Sequence, residues 1–200
     1  MRILAFSDLH RNRDAAQAIV DASREADVVV GAGDFATKGI GLRDTIDLLR
    51  AVVVPTVLVA GNHDDLDELR GACRDGKAVH VLHGEAATVE GIPFFGLGFE
   101  IPAGTREEPW NQRMNELEAA KLLLACPRGA ILVTHSPPLG VADVQTNGIH
   151  EGSRSIGDAV LSTKARLHLC GHIHHAWGTS GIIGECRVHN LGPTVNWFAA

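Results

Sequence analysis

Met1-Arg2-Ile3-Leu4-Ala5-Phe6 runs straight into Ser7-Asp8-Leu9-His10, and these ten residues decide the fold. Ile3–Phe6 is an apolar run of strand length, closed by a carboxylate and an imidazole two residues apart. On an extended chain such residues point the same way, so Asp8 and His10 can reach one ion together. One charge precedes the run and charges of both signs follow it at once, which reads as a first β-strand and not as a secretory leader. A cytoplasmic protein is the resulting expectation.

Working outward, the same punctuation recurs four times. Val28–Val30 ends in Gly31-Ala32-Gly33-Asp34, and Thr56–Ala60 ends in Gly61-Asn62-His63-Asp64. Ile131–Thr134 leads into His135-Ser136-Pro137-Pro138, and Leu167–Cys170 into Gly171-His172-Ile173-His174, which repeats the two-apart spacing. A further strand is expected at Val79–Leu82. Between these runs the apolar period changes to that of helices, at Asp14–Glu25, Leu42–Val52, Leu66–Cys73, Trp110–Ala125 and Ile156–Lys164. Strand alternating with helix signals βαβ units and a largely parallel sheet. Thr88–Glu90 with Ile92–Phe95, and Gly178–Ile183 with Cys186–Asn190, read as hairpins around Gly91 and Gly184, so the sheets are expected to be mixed. Two long loops rich in Gly, Pro and polar residues, Gly98–Pro109 and Ser136–Ser155, are candidate binding loops.

Composition narrows the function. At 200 residues, with 45% hydrophobic and 21% charged, the chain suits one globular domain over 1–200 that needs no disulfide or structural metal to hold its core. No apolar run approaches the roughly 20 residues needed to cross a bilayer. A net charge of -6 disfavours nonspecific binding of long nucleic acid but leaves a small phosphorylated substrate open. Cys73, Cys126, Cys170 and Cys186 form no C-x-x-C pair and read as reduced, packed thiols. Eleven histidines, several beside Asp, Asn or Gly, are the unusual feature, and they turn attention to metal chemistry.

Singly, each strand-end cluster is weak. Jointly they place Asp8, His10, Asp34, Asn62, His135, His172 and His174 beyond the carboxyl ends of parallel strands, where α/β sheets carry their functional crevice. Oxygen and imidazole donors without thiolate suit Mn, Fe, Zn, Co or Ni better than Ca or Mg. Seven ligands exceed one tetrahedral site and fit two ions about 3.5–4 Å apart, sharing a carboxylate.

The ordered set D-x-H, G-D, G-N-H-D, H and G-H-x-H, spanning positions 8 to 174, resembles the calcineurin-like metallophosphoesterase superfamily, in its small bacterial phosphoesterase form. The resemblance implies a four-layer α/β/β/α sandwich with two mixed β-sheets. It implies one divalent metal held by Asp8, His10, Asp34 and His174, and a second held by bridging Asp34 with Asn62, His135 and His172. His63 matches the catalytic histidine that binds no metal. The implied enzyme is a metal-dependent phosphohydrolase, a phosphodiesterase or phosphatase cleaving a small monoester or diester. The two ions would activate a shared hydroxide for in-line attack, with His63 assisting the leaving oxygen. The alternative is a noncatalytic scaffold or interaction module of the same fold. Where the family often has glycine after the first histidine, Arg11 stands here before Asn12; these two either hold phosphate oxygens or face solvent. Asp64 either orients His63 or caps a helix. Trp110 and Phe99 either stack on a nucleobase or anchor a loop. Asn190-Leu191-Gly192-Pro193 resembles a family turn of structural character. Of the histidines outside the ligand set, His150 is the exception to watch, because it lies in a long loop.

Overall fold

The computed structural model describes residues 1–76, 78–105 and 107–200; residue 106, inside the 98–109 loop expected from sequence, lies outside this description. Among the described residues, five α-helices and eleven strands alternate in the manner the sequence suggests. The first half runs β1 (Arg2–Phe6), α1 (Arg13–Ala22), β2 (Val28–Gly31), α2 (Leu42–Leu49), β3 (Thr56–Leu58), α3 (Leu66–Cys73) and β4 (Val79–Val81). The second half runs β5 (Glu85–Val89), β6 (Ile92–Leu97), α4 (Glu116–Leu123), β7 (Ile131–Thr134), α5 (Arg154–Thr163) and β8 (Leu167–Cys170), then β9 (Ser180–Ile183), β10 (Cys186–Asn190) and β11 (Asn196–Ala199).

The strands form two mixed sheets, ordered β11-β1-β2-β3-β4 and β5-β6-β7-β8-β10-β9. Pairing is parallel from β1 to β4, and from β6 through β7 and β8 to β10; the edge strands β11, β5 and β9 pair antiparallel. Strand periodicity explains the layering. Leu4 and Phe6 point into a core with α1, α2 and α3, while Ile3 and Ala5 point into a core between the sheets. In the second sheet Phe94, Ile131 and Val133 meet that inter-sheet core, and Phe95, Leu97 and Leu132 pack on α4 and α5. Three cores make four layers, α/β/β/α. Phe6, Phe94 and Phe95 are fully buried, and each such side chain stabilises the fold by about 1.5–3 kcal/mol of transfer free energy.

Caps set the helix ends. Asn12 accepts from Ala15 N–H at 3.1 Å to start α1, and Asp65 accepts from Glu68 N–H at 2.7 Å to start α3. The helix expected from Trp110 begins only at Glu116, where Asn115 and Glu118 form a capping box. Residues 111–114 are drawn away because their backbone is already used: Gln112 N–H donates to Asn62 O at 2.8 Å and Met114 N–H to Glu100 O at 3.0 Å. The first hairpin turns at Glu90 (φ 49°) and Gly91 (φ 76°), left-handed at both central positions as a two-residue turn between strands requires. β11, unread in the sequence, closes the free edge of β1. All four cysteines are buried and unpaired, as expected. No helix among the described residues is long and apolar enough to cross a membrane.

Candidate metal centre

The five motifs meet at the carboxyl ends of β1, β2, β3, β7 and β8. Ligand atoms of Asp8, His10, Asp34 and His174 lie within 4.8 Å of one another. Beside them Asn62 Oδ1 stands 3.0 Å from His135 Nε2 and 3.1 Å from His172 Nδ1. Asp34 Oδ2 lies between the two groups, 3.4 Å from His10 Nε2 and 3.5 Å from His135 Nε2.

The backbone is bent to achieve this. Asp8, His10, Asp34 and His172 all have left-handed φ, from 44° to 69°, although none is glycine; such conformations persist only where the surroundings impose them. Here the loops after β1 and β2 brace each other, Asp8 N–H donating to Gly33 O at 2.8 Å and His10 N–H to Asp34 O at 2.9 Å. Two glycines make the approach possible. A Cβ at Gly33 (φ 92°) would stand 2.6 Å from Gly61 N and 2.7 Å from His135 Nδ1, and one at Gly61 would collide with the backbone nitrogen and carboxylate of Asp34.

Hydrogen bonds behind the centre aim lone pairs into it. His10 Nδ1 donates to Ala36 O at 3.1 Å and His135 Nδ1 to Ala32 O at 2.8 Å, leaving each Nε2 facing inward. Asn62 donates its amide to Asn111 Oδ1 at 2.8 Å, and Asn111 in turn donates to Glu100 at 2.8 Å, so Asn62 Oδ1 must face His135 and His172. Asp8 accepts from Ser7 Oγ–H at 2.5 Å and Trp177 Nε1–H at 3.1 Å. Ser7 is itself tied to the Asn190–Pro193 turn by Gly192 N–H at 2.9 Å, which gives that turn the structural role expected of it. Asn111, Glu100 and Trp177 were not read from sequence. Trp177 lies three residues past His174, a discoverable signal; Asn111 is 49 residues from its partner, and nothing local marks it.

Acceptors converging in a buried space need a cation. Burial, helped by Asp34, pushes Asp8 up to about 6. His135 feels burial too, but the Asp34 carboxylate outweighs it and raises the ring to about 9, while His135 and its neighbours hold Asp34 well below the usual carboxylate range. A proton on His135 thus occupies the role a metal ion would take. Burial, with His135 beside it, pushes His172 down to about 3; burial and His10 push His174 down to about 4, so both present neutral imidazole. The donor set fits divalent transition metals.

His63 stands beside the ligand atoms, its Nε2 4.0 Å from Asp34 Oδ2. Lys38 N–H donates to His63 Nδ1 at 2.7 Å, and the Trp110 ring packs on the imidazole at 4.4 Å. The proton of the neutral ring therefore sits on Nε2, facing the centre; burial lowers the ring's pKa and keeps it neutral. Asp64 neither orients His63 nor caps a helix. It is fully buried, and accepts from the backbone of Asp34, Ala36 and Gly61 at 2.8 Å each, so it staples the Asp34 loop to the β3 loop. Asp65 takes the cap one residue later because Asp64 is already turned inward.

A cavity of about 870 Å³ opens over the centre, walled by both long loops, with Asp34, Asn62, His63, Trp110, His150 and His174 among its lining. Arg11 and Asn12 do not line it. Asn12 spends its oxygen on the α1 cap, and the exposed Arg11 side chain lies along Gly41, with no side-chain hydrogen bond or ion pair among the described residues. Substrate contact by these two is not supported by their placement. Phe99 packs on His83 at 4.4 Å and serves as a loop anchor.

The family model for calcineurin-like phosphoesterases matches residues 1–176. The chain belongs to that family. A UPF0046 protein of Caenorhabditis elegans is 28% identical over 77% of this chain and 58% of its own. A cAMP/cGMP dual specificity phosphodiesterase of Mycobacterium tuberculosis is 28% identical over 75% of this chain and 49% of its own. The chain thus spans about half the length of the curated relatives it matches. Among solved structures, a Thermus thermophilus protein superposes with a TM-score of 0.78 at 18% identity, covering 98% of this chain and 97% of that one, which supports the four-layer fold. Family membership and the Asp/His cluster together point to divalent metal ions at this centre.

Proposed function

We propose that the chain is a hydrolase of small phosphate esters working with two divalent ions. Asp8, His10, Asp34 and His174 would hold one, and Asp34, Asn62, His135 and His172 the other. The observation that carries this reading is Asp34 Oδ2, equidistant within 0.1 Å from His10 and His135, each of which belongs to a different ligand group. Bound ions of this kind polarise a phosphoryl oxygen and supply an activated water near neutral pH.

The chain's own residues account for the rest. Asn111 and Glu100 fix the Asn62 oxygen; the carbonyls of Ala36 and Ala32 fix the tautomers of His10 and His135. His63 donates from Nε2 to the leaving oxygen as charge builds there, with Lys38 N–H holding its tautomer and Trp110 its ring plane. The buried, braced loops keep these groups in place before substrate arrives, which is where electrostatic catalysis gains most. A small phosphorylated substrate and no role with long nucleic acid agree with the net charge of -6. The named activity of the mycobacterial relative makes phosphodiesters the first class to assay.

The test is turnover of a chromogenic phosphodiester and the matching monoester after chelation and after reconstitution with Mn, Zn or Co. Activity lost on chelation and restored by a metal supports the reading. Full metal loading without hydrolysis of either ester would overturn it.

Metal affinity should also depend on pH with a defined sign. His135, raised to about 9, must lose a proton before its Nε2 can bind an ion, and Asp8, raised to about 6, adds a second proton at lower pH. Affinity should therefore rise about tenfold per pH unit below 9, and more steeply below 6. Calorimetric titration of Mn at pH 6, 7 and 8, in buffers of different ionisation enthalpy, reads both slope and proton release. A flat profile would contradict the proton-for-metal exchange.

A further inference from the structure

The 136–155 loop contains a second imidazole–carboxylate pair, outside the ligand set. His150 Nδ1 lies 2.6 Å from Asp143 Oδ1. Asp143 is fully buried, and its other oxygen accepts from Gly140 N–H and Gly152 N–H at 2.9 Å each. An ionised carboxylate only accepts, so the His150 proton is fixed on Nδ1. Nε2 is left with no protein partner among the described residues, on a side chain 46% exposed that lines the same cavity as Asp34, His63 and His174.

The loop that carries this ring is built and not slack. Val144 and His150 form an isolated antiparallel bridge, Gln145 N–H donates to Ile149 O at 2.9 Å, and Gly148 N–H turns back to Gln145 O at 2.9 Å. At the base, Leu139 N–H donates to Ser153 O and Ser153 N–H to Pro137 O, both at 2.9 Å. A buried carboxylate that only closed this loop would be served by its two backbone donors. The imidazole adds a pre-aimed nitrogen whose ordering cost on binding substrate is already met by the clamp.

We propose that His150 is a substrate-contacting residue that reads the alcohol portion of the ester. In its neutral form the free Nε2 accepts a hydrogen bond, so the ligand class it selects is a phosphate ester whose alcohol carries a hydroxyl. Asp143 is its positioning residue. The inference rests on the phosphohydrolase reading above and adds a specificity group to that site.

The p-nitrophenyl phosphodiesters of glycerol and of propanol share reporter and leaving group and differ only in hydroxyls, so they isolate this contact. His150→Asn keeps an amide N–H where Nδ1–H was, preserving the bond to Asp143, and removes the nitrogen that faces the cavity. For the metal-loaded enzyme, the ratio of kcat/KM for the glyceryl ester over the propyl ester should fall about tenfold in His150→Asn, the worth of one hydrogen bond, with KM carrying the change. His150→Ala should show the same fall and in addition a lower Tm, as the clamp is lost. An unchanged ratio in both variants, with wild type active on both esters, would overturn the role of His150 while leaving the hydrolase reading in place. A fall only in His150→Ala, matched by its loss of Tm, would make the pair a loop fastener and also overturn it. A wild type that loads metal and cleaves neither ester would overturn the hydrolase reading, and this inference with it.

Discussion

Asp34→Asn is expected to cut phosphoester turnover by at least about a thousandfold, more than the loss of a single oxyanion-hole donor usually costs. The geometry forces the outcome. Asp34 Oδ1 accepts from His63 N–H at 2.9 Å, so the oxygen of the substituted amide would stay there and its NH₂ would take the place of Oδ2. That group would then point N–H bonds at the Nε2 atoms of His10 and His135, where a lone pair is needed. The substitution also removes the negative charge that raises His135 to about 9. Metal analysis should show at least one of the two ions lost or weakened, with the circular dichroism of the fold retained. Full occupancy with unchanged turnover would remove Asp34 from the shared position.

His63→Ala is expected to behave differently: both ions stay bound, while hydrolysis falls by roughly 10² to 10⁴. His63 is next to Asn62 in sequence, yet its Nδ1 is taken by Lys38 N–H and its Nε2 stands 4.0 Å from Asp34 Oδ2. Its ring is thus committed to donating one hydrogen bond and not to holding a metal. The loss should be full for an ester of an alkyl alcohol, whose leaving oxygen needs a donor, and smaller for nitrophenol, whose anion is stable without one. Measuring both substrates beside metal content separates the cases. Equal losses on both would indicate substrate positioning, and loss of a metal would make His63 a ligand.

Much of this site was legible because its chemistry is written at strand ends. A β-strand alternates faces, so parity alone separates Ile3 and Ala5 from Leu4 and Phe6. Asp8 and His10 lie past the end of β1 at left-handed φ, so the braced loop and not an extended chain brings them together. The glycines of two of these motifs, Gly33 and Gly61, stand where the loops pack so closely that a Cβ on either would collide. The readings that needed revision concern side chains whose local options were equivalent. Asp64 and Asp65 are both competent caps, and only the packing of the Asp34 loop, with its buried row of backbone N–H groups, turned Asp64 inward. Residues 110–115 carry helical spacing, but the carbonyls of Asn62 and Glu100 claimed their backbone donors first.

The sequence by itself determined the alternating α/β order and, through the ordered motifs and the family they resemble, the four layers and the seven candidate ligands with His63. Periodicity and short spacing are properties of a few neighbouring residues, and they survive without knowledge of the rest. Only the tertiary structure decided that Asn111 orients Asn62, that Trp177 and Ser7 hold Asp8, that Arg11 and Asn12 lie off the cavity, and that Asp143 clamps His150 over it. Those pairings depend on where distant loops meet and on which polar groups water has been removed from. Burial and long-range hydrogen bonding are set by the whole chain at once.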